Sequence, residues 1–169
     1  MILAVLVMNK NGKARIARFY NDVEFEKQQY LIQRIHSLVV KQNKELNSNI
    51  VDSSLLFGNN SRITFRCFTT LYFIVVHDNN ESPLSILDLI QVLVETLNCY
   101  FENVCELDII FNFDKVNYIL DEFIVAGIVT TLNMKELCDK IKLNQKISQS
   151  QSSKTIEGVL EKIKHFSLS

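Results

Sequence analysis

The chain opens with ILAVLVM (residues 2–8), apolar at odd and even positions alike, which predicts a strand covered on both faces. NKNGK follows as a turn. ARIARFY (14–20) is predicted to pair back on the first strand, with Asn11-Gly12 as the hairpin signal. Asn21 or Asp22 then caps a helix to about residue 43, with Phe25, Ile32, Ile35 and Val39 on its apolar stripe. SSLLFG, RITFRCF and TLYFIVV read as three short strands, parted by GNNS and by Thr69-Thr70. The third is again apolar on both faces. Two such strands need helices on either side of the sheet.

Ser82-Pro83 supplies an N-cap and a first helical residue. The helix after them carries Leu84, Leu87, Ile90, Val94, Leu97 and Phe101 on a wide apolar face. In the next stretch, ENVCELDIIFNF (102–113), a cysteine stands among three carboxylates. Asn103-Val104-Cys105-Glu106 has the form of a capping box, with Asn103 as N-cap. Glu106 and Asp108 then sit in a first turn, where the helix dipole favours negative charge. Leu107, Ile110, Phe111, Val116 and Leu120 are expected to supply apolar contacts, and Gly127 to end the helix. The acids start a helix and form no acid/base pair. The layout is β-β-α-β-β-β-α-α, an α/β/α sandwich.

The composition changes after residue 143. QKISQSQSSK reads as a polar linker, and Ile156, Val159, Leu160, Ile163 and Phe166 then recur at helical spacing. The expected division is a domain over 1–143 and a tail over 144–169 that holds, at most, a short amphipathic helix. About 12 residues are marginal as a helix alone, so transient helicity is the favoured reading of the tail.

At 169 residues and 47% hydrophobic, the chain is long enough for one domain with a substantial core. A formal net charge of -1 gives the chain as a whole no electrostatic drive toward nucleic acid or an anionic membrane. No stretch is read as approaching the roughly 18 apolar residues of a membrane span. MILAVLVM has no basic segment and no cleavage site of a signal peptide, so reduced thiols in the cytosol are expected.

Enzyme chemistry finds no constellation. Cys99 and Cys105 lack the spacing of a structural zinc pair, and His36, His77 and His165 are scattered over a helix, a strand end and the tail. The four glycines make no phosphate loop. Cys67, Cys99, Cys105 and Cys138 read as small core hydrophobes. No catalytic residue, cofactor or metal is expected.

ETLNCYFENVCELDIIFNFDKVNYILDEFIVAG closely resembles the signature region of the small (sigma) subunits of clathrin-adaptor complexes. RCFTTLYFIVV and NKNGKARIARFY extend the match over roughly residues 1–143. SILDLIQVLVETL and TTLYF are most similar to the sigma subunit of adaptor complex 3. The resemblance implies a longin-like (SNARE-like) α+β fold, a five-stranded antiparallel sheet between one helix and two others. It implies no enzyme activity. The implied role is that of a cytosolic subunit in a heterotetramer with delta-type and beta-type large chains and a mu-type medium chain. That complex sorts cargo from Golgi or endosome to lysosomes or vacuoles.

It also implies a share in binding acidic dileucine signals, [DE]-x-x-x-L-[LI], in cargo tails. Arg15 matches the basic residue that meets the acidic side chain; Leu71, Val94, Asn103, Val104 and Ile109 match positions around the leucine pocket. Thr69 departs from the usual smaller alanine, which bears on pocket width. Without the resemblance, Arg15 would read as a solvated strand cation and the apolar positions as helix packing. Two buried leucines gain about 3–6 kcal/mol. A charge-assisted bond at Arg15 adds about 1.5–3 kcal/mol, and association costs at least about 4 kcal/mol. Such a peptide binds weakly and depends on avidity. The alternatives are an assembly-only subunit or another longin-like protein, such as the coatomer zeta subunit; the absence of heptads after residue 144 argues against a SNARE.

Overall fold

The structure, a computed structural model, describes residues 1–45, 48–58, 60–130, 136, 138, 139 and 143. The contacts divide the chain into two units, Met1–Leu132 and Asn133–Ser169. The fold is that of the first unit. The predicted tail helix lies outside the described residues.

The elements are β1 (Ile2–Asn9), β2 (Ala14–Phe19), α1 (Phe25–Glu45), β3 (Ile50–Asp52), α2 (Ser54–Phe57), β4 (Ser61–Phe68) and β5 (Leu71–Asp78). They are followed by α3 (Pro83–Phe101), α4 (Glu106–Phe111), α5 (Phe113–Phe123), β6 (Ile124–Val125) and β7 (Ile128–Val129). Five strands form one antiparallel sheet in the order β2-β1-β5-β4-β3. The two strands predicted to be covered on both faces, β1 and β5, lie side by side, with β1 second from an edge and β5 at the centre. Ala4, Leu6 and Met8 of β1 join Tyr72, Ile74 and Val76 of β5 in a core closed by Leu31, Ile35 and Val39 of α1. On the other face α3 lies over β4 and β5, and α5 packs against α3. One helix therefore covers one face and the later helices the other, which is the α+β longin-like sandwich.

The structure corrects several expectations. SSLLFG is not a strand: β3 precedes it, and Ser54–Phe57 turns as a short helix. The Asp52 carboxylate accepts the Ser54 N–H at 2.8 Å, and the Ser53 carbonyl accepts the N–H groups of Leu56 and Phe57, bonds a straight strand cannot make. Phe25 is 74% exposed, so the α1 stripe begins at Leu31. In α3 the buried face runs through Ile86, Leu89, Ile90, Leu93, Val94 and Leu97, and Leu84 projects into solvent. By length and composition α3 does qualify as a membrane span, contrary to the expectation. Its packing on the sheet makes it a core helix.

The single helix expected after residue 103 is two, broken at Asn112. Ile109 points inward, while Leu107, Ile110 and Phe111 (80% exposed) face outward. The second helix ends at Phe123, four residues before Gly127, which belongs to the β6–β7 turn. Ala126 (φ 51°) and Gly127 (φ 80°) are both left-handed there, as a type I′ hairpin requires. The Gly127 carbonyl accepts the Ile2 N–H at 2.8 Å and ties this hairpin to β1.

Candidate functional site

Asn9, the last residue of β1, organises one end of the sheet. Its Oδ1 accepts the N–H groups of Asn11 (3.1 Å) and Lys13 (2.9 Å), which folds the NKNGK turn as an Asx-type loop. Its Nδ2 donates to Glu106 Oε1 at 3.0 Å. In the sheet register Asn9 stands beside Leu71, and Leu71 pairs in turn with Phe68 across the Thr69-Thr70 turn. Three chain segments distant in sequence thus meet: the β1–β2 turn, the β4–β5 turn and the start of α4.

Arg15 reaches this junction because β2 carries a bulge. Val7 pairs with Ile16 and Met8 with Ala14, so Arg15 is the extra residue on the edge strand. A bulge re-aims the side chain it carries. Ile16 is buried and Arg18 bonds Asn117 and Asp121 of α5, which marks the helical side of the strand. Arg15 is turned to α4: its Nε (2.7 Å) and Nη2 (2.6 Å) both donate to Glu106 Oε1. The Arg15 hydrogen bond, foremost, holds the Glu106 carboxyl below its ordinary range, with Asn9 and Lys13 assisting.

The loop between α3 and α4 is left-handed at two successive residues, Glu102 (φ 53°) and Asn103 (φ 84°). Asn98 Oδ1 of α3 secures it by accepting the Val104 N–H at 2.9 Å. The capping box exists two residues later than predicted: Cys105 is the N-cap, and Asp108 Oδ2 accepts its N–H at 2.8 Å. The left-handed backbone at Asn103 rules that residue out as N-cap, since an N-cap is extended. Glu106 is therefore the first helical residue, with its carboxylate free to pair with Arg15. Cys105 is exposed, against the expectation of a core thiol; Cys67 and Cys99 are half-buried and Cys138 is buried.

The predicted site residues separate into two kinds. Arg15, Thr69, Leu71, Asn103 and Val104 gather at this end of the sheet. Thr69 and Asn103 are exposed, and Val104 is half-buried. Leu71 and Val94 are each 4% exposed and Ile109 is fully buried, so these three are part of the core before any ligand arrives. Val94 lies one helical turn, about 6 Å, before Asn98. Thr69 has a positive φ of 53°, a backbone conformation at which glycine is favoured. Sequence reasoning missed Asn9, Asn98 and Glu106 as parts of the site. Glu106 was visible only as a helix-start acid, because a partner 91 residues away leaves no local signal.

Elsewhere, His77 is buried with Nδ1 2.8 Å from the Asp78 carbonyl and Nε2 2.9 Å from Thr64 Oγ1. The carbonyl can only accept, so the proton sits on Nδ1 and Thr64 donates to Nε2. Burial, foremost, lowers the His77 pKa. Among the described residues, no three His, Cys, Asp or Glu side chains are placed to hold a metal ion.

The family model for the clathrin adaptor complex small chain matches residues 1–148. The AP-3 complex subunit sigma-2 of Homo sapiens is 43% identical over 151 residues, 89% of this chain and 78% of that protein. The AP-3 complex subunit sigma of Dictyostelium discoideum is 39% identical over 169 residues, 97% of this chain and 98% of that protein. Among known structures, a chain in a homology model of the full-length AP-3 complex in a stretched open conformation superposes with a TM-score of 0.67. That chain is 33% identical, and the match covers 91% of this chain and 99% of that one. On sequence and on fold together, the chain belongs to the clathrin-adaptor small-chain family and resembles its AP-3 sigma members.

Proposed function

We propose that this chain is the small subunit of an AP-3-type adaptor complex and lends one wall to a site for acidic dileucine signals in cargo tails. The carrying observation is the junction at the end of the sheet, where a cation (Arg15), an apolar edge (Leu71, Val104) and exposed rim residues (Thr69, Asn103) come together from three segments. A signal with an acid followed by two leucines has the complementary order. The partners in this reading are a delta-type large chain, a beta-type large chain and a mu-type medium chain. The exposed apolar side chains Leu107, Ile110, Phe111 and Phe113, close together in sequence, support assembly, since clustered apolar surface is normally covered by protein. The workplace is cytoplasmic vesicles on the route from Golgi or endosome to lysosome or vacuole, with membrane contact through the assembled complex. The domain over 1–143 carries these contacts and 144–169 is an appended tail.

An assembly-only role is the second reading, and two observations favour it: Leu71, Val94 and Ile109 have almost no free surface, and Arg15 is already paired. The two are separated on the chain reconstituted with its large partner, titrated with a [DE]-x-x-x-L-[LI] peptide and its double-alanine control. Val104→Asp sets a carboxylate against apolar surface and should weaken binding roughly tenfold or more. Arg15→Ala should cost less, roughly threefold, because exposed ion contacts are weak. Both variants should still assemble. Equal binding of peptide and control, or no effect of either substitution, leaves the assembly-only role.

A further inference from the structure

Arg15 is occupied in the free chain, and by an unusual arrangement. Both of its inner donors, Nε and Nη2, converge on the single oxygen Glu106 Oε1, which also accepts from Asn9 Nδ2. The pair neutralises the charge that an incoming acidic side chain would seek. We infer that Glu106 is an internal stand-in for the acidic residue of the signal, so that this chain reads the acid by exchanging one carboxylate for another. This rests on the dileucine reading above and assigns that site a specificity-determining residue within the chain itself.

The surroundings allow the exchange. Once Arg15 turns to a ligand, Glu106 keeps the Asn9 amide, lies near Lys13, and stands at the first residue of α4, where the N-terminal dipole favours an anion. Its departure strands no charge. Arg15, as the extra residue of a bulge on an edge strand, swings without disturbing a ladder hydrogen bond of its neighbours. Because one ion pair is lost for each one gained, the acid adds little affinity and little salt dependence, and the paired leucines dominate selection. A signal whose acid is replaced by glutamine should bind this chain nearly as well.

The test uses the chain assembled with its large partner and three peptides: the acidic dileucine signal, the same signal with glutamine for its acid, and the signal with both leucines changed to alanine. Glu106→Gln keeps a carbonyl to accept from Arg15 and Asn9 and removes the competing charge. The expected result is a gain of roughly five- to tenfold for the acidic peptide alone, with a salt dependence that the unsubstituted chain lacks. Glu106→Ala should give the same gain, and thermal melts of both variants show that they fold. If leucine-dependent binding persists but Glu106→Gln leaves the acidic peptide unchanged or weakens it, the inference is overturned and Glu106 is a positioning residue for Arg15. If no peptide binds above the leucine control, the dileucine reading falls and this inference with it.

Discussion

Thr69 offers a perturbation in which strain and function are read from one residue. Its φ of 53° at the first position of a two-residue hairpin loop is a left-handed conformation, and threonine is branched at Cβ. An L-residue held there costs about 1–2 kcal/mol, with β-branching at the upper end. Thr69 is exposed and makes no hydrogen bond among those of the described side chains, so its removal forfeits little burial. Glycine removes the strain and returns about 0.5–1 kcal/mol of unfolded-state freedom. Thr69→Gly should therefore stabilise the chain by about 1 kcal/mol, or raise the melting temperature by about 2–4 °C. Thr69→Ala keeps a Cβ in the same backbone and should change stability by less than about 0.5 kcal/mol. Both shorten the rim beside Leu71, so both should strengthen binding of a dileucine peptide to the assembled complex. Thermal denaturation of the chain and peptide titration of the complex are the two assays. A lower melting temperature for Thr69→Gly would refute the strain argument. Unchanged peptide affinity in both variants would remove Thr69 from the pocket rim.

Gly127→Ala should destabilise by about 2–4 kcal/mol, since φ is 80° and the new Cβ would clash with the Ile2 carbonyl oxygen; a melting temperature within a degree of the parent contradicts this. His77 is buried neutral with its pKa below the ordinary 6.5, so the unfolded chain takes up a proton first and stability falls as the pH drops below about 6.5. Denaturant titrations from pH 8 to 5 should show that slope, and His77→Gln should flatten it; an equal slope in both chains assigns the effect elsewhere. In the isolated chain Cys105 should react with a thiol reagent ahead of the half-buried Cys67 and Cys99 and the buried Cys138, as mass spectrometry of partly labelled protein would reveal. Faster labelling at Cys138 would contradict the burial pattern.

The sheet was legible because β1 and β5 carry apolar residues at consecutive positions, which only a doubly covered strand tolerates. The helix starting at Pro83 was legible from its cap. What misled was composition without geometry. Ser53 to Gly58 carries a short apolar run that reads as a strand, yet the Asp52 carboxylate and the Ser53 carbonyl turn the backbone into a helix. Leu84, Leu107 and Phe111 fit a helical period and still face outward, since a period fixes which residues share a face and leaves open which face is buried. At the site, Arg15 and the rim were reached through family resemblance. The carboxylate that holds Arg15 was misread as a cap because local motif and distant partner compete for the same residue.

The strand order carries a consequence for synthesis of the chain. β1 is made well before β5, its inner neighbour in the sheet, with Ile2 paired to His77 and Asn9 to Leu71. The hairpin with β2 covers only one edge and neither face. Until β5 has left the ribosome, an apolar ribbon with one open edge has no native partner, which is the situation that invites chaperone capture or edge-to-edge association. Closure comes later still, when the β6–β7 turn delivers the Gly127 carbonyl to Ile2. Such non-local pairing makes for slow folding with a high contact order, and it leaves the early strand unpartnered on its inner edge until the other half of the sheet is made.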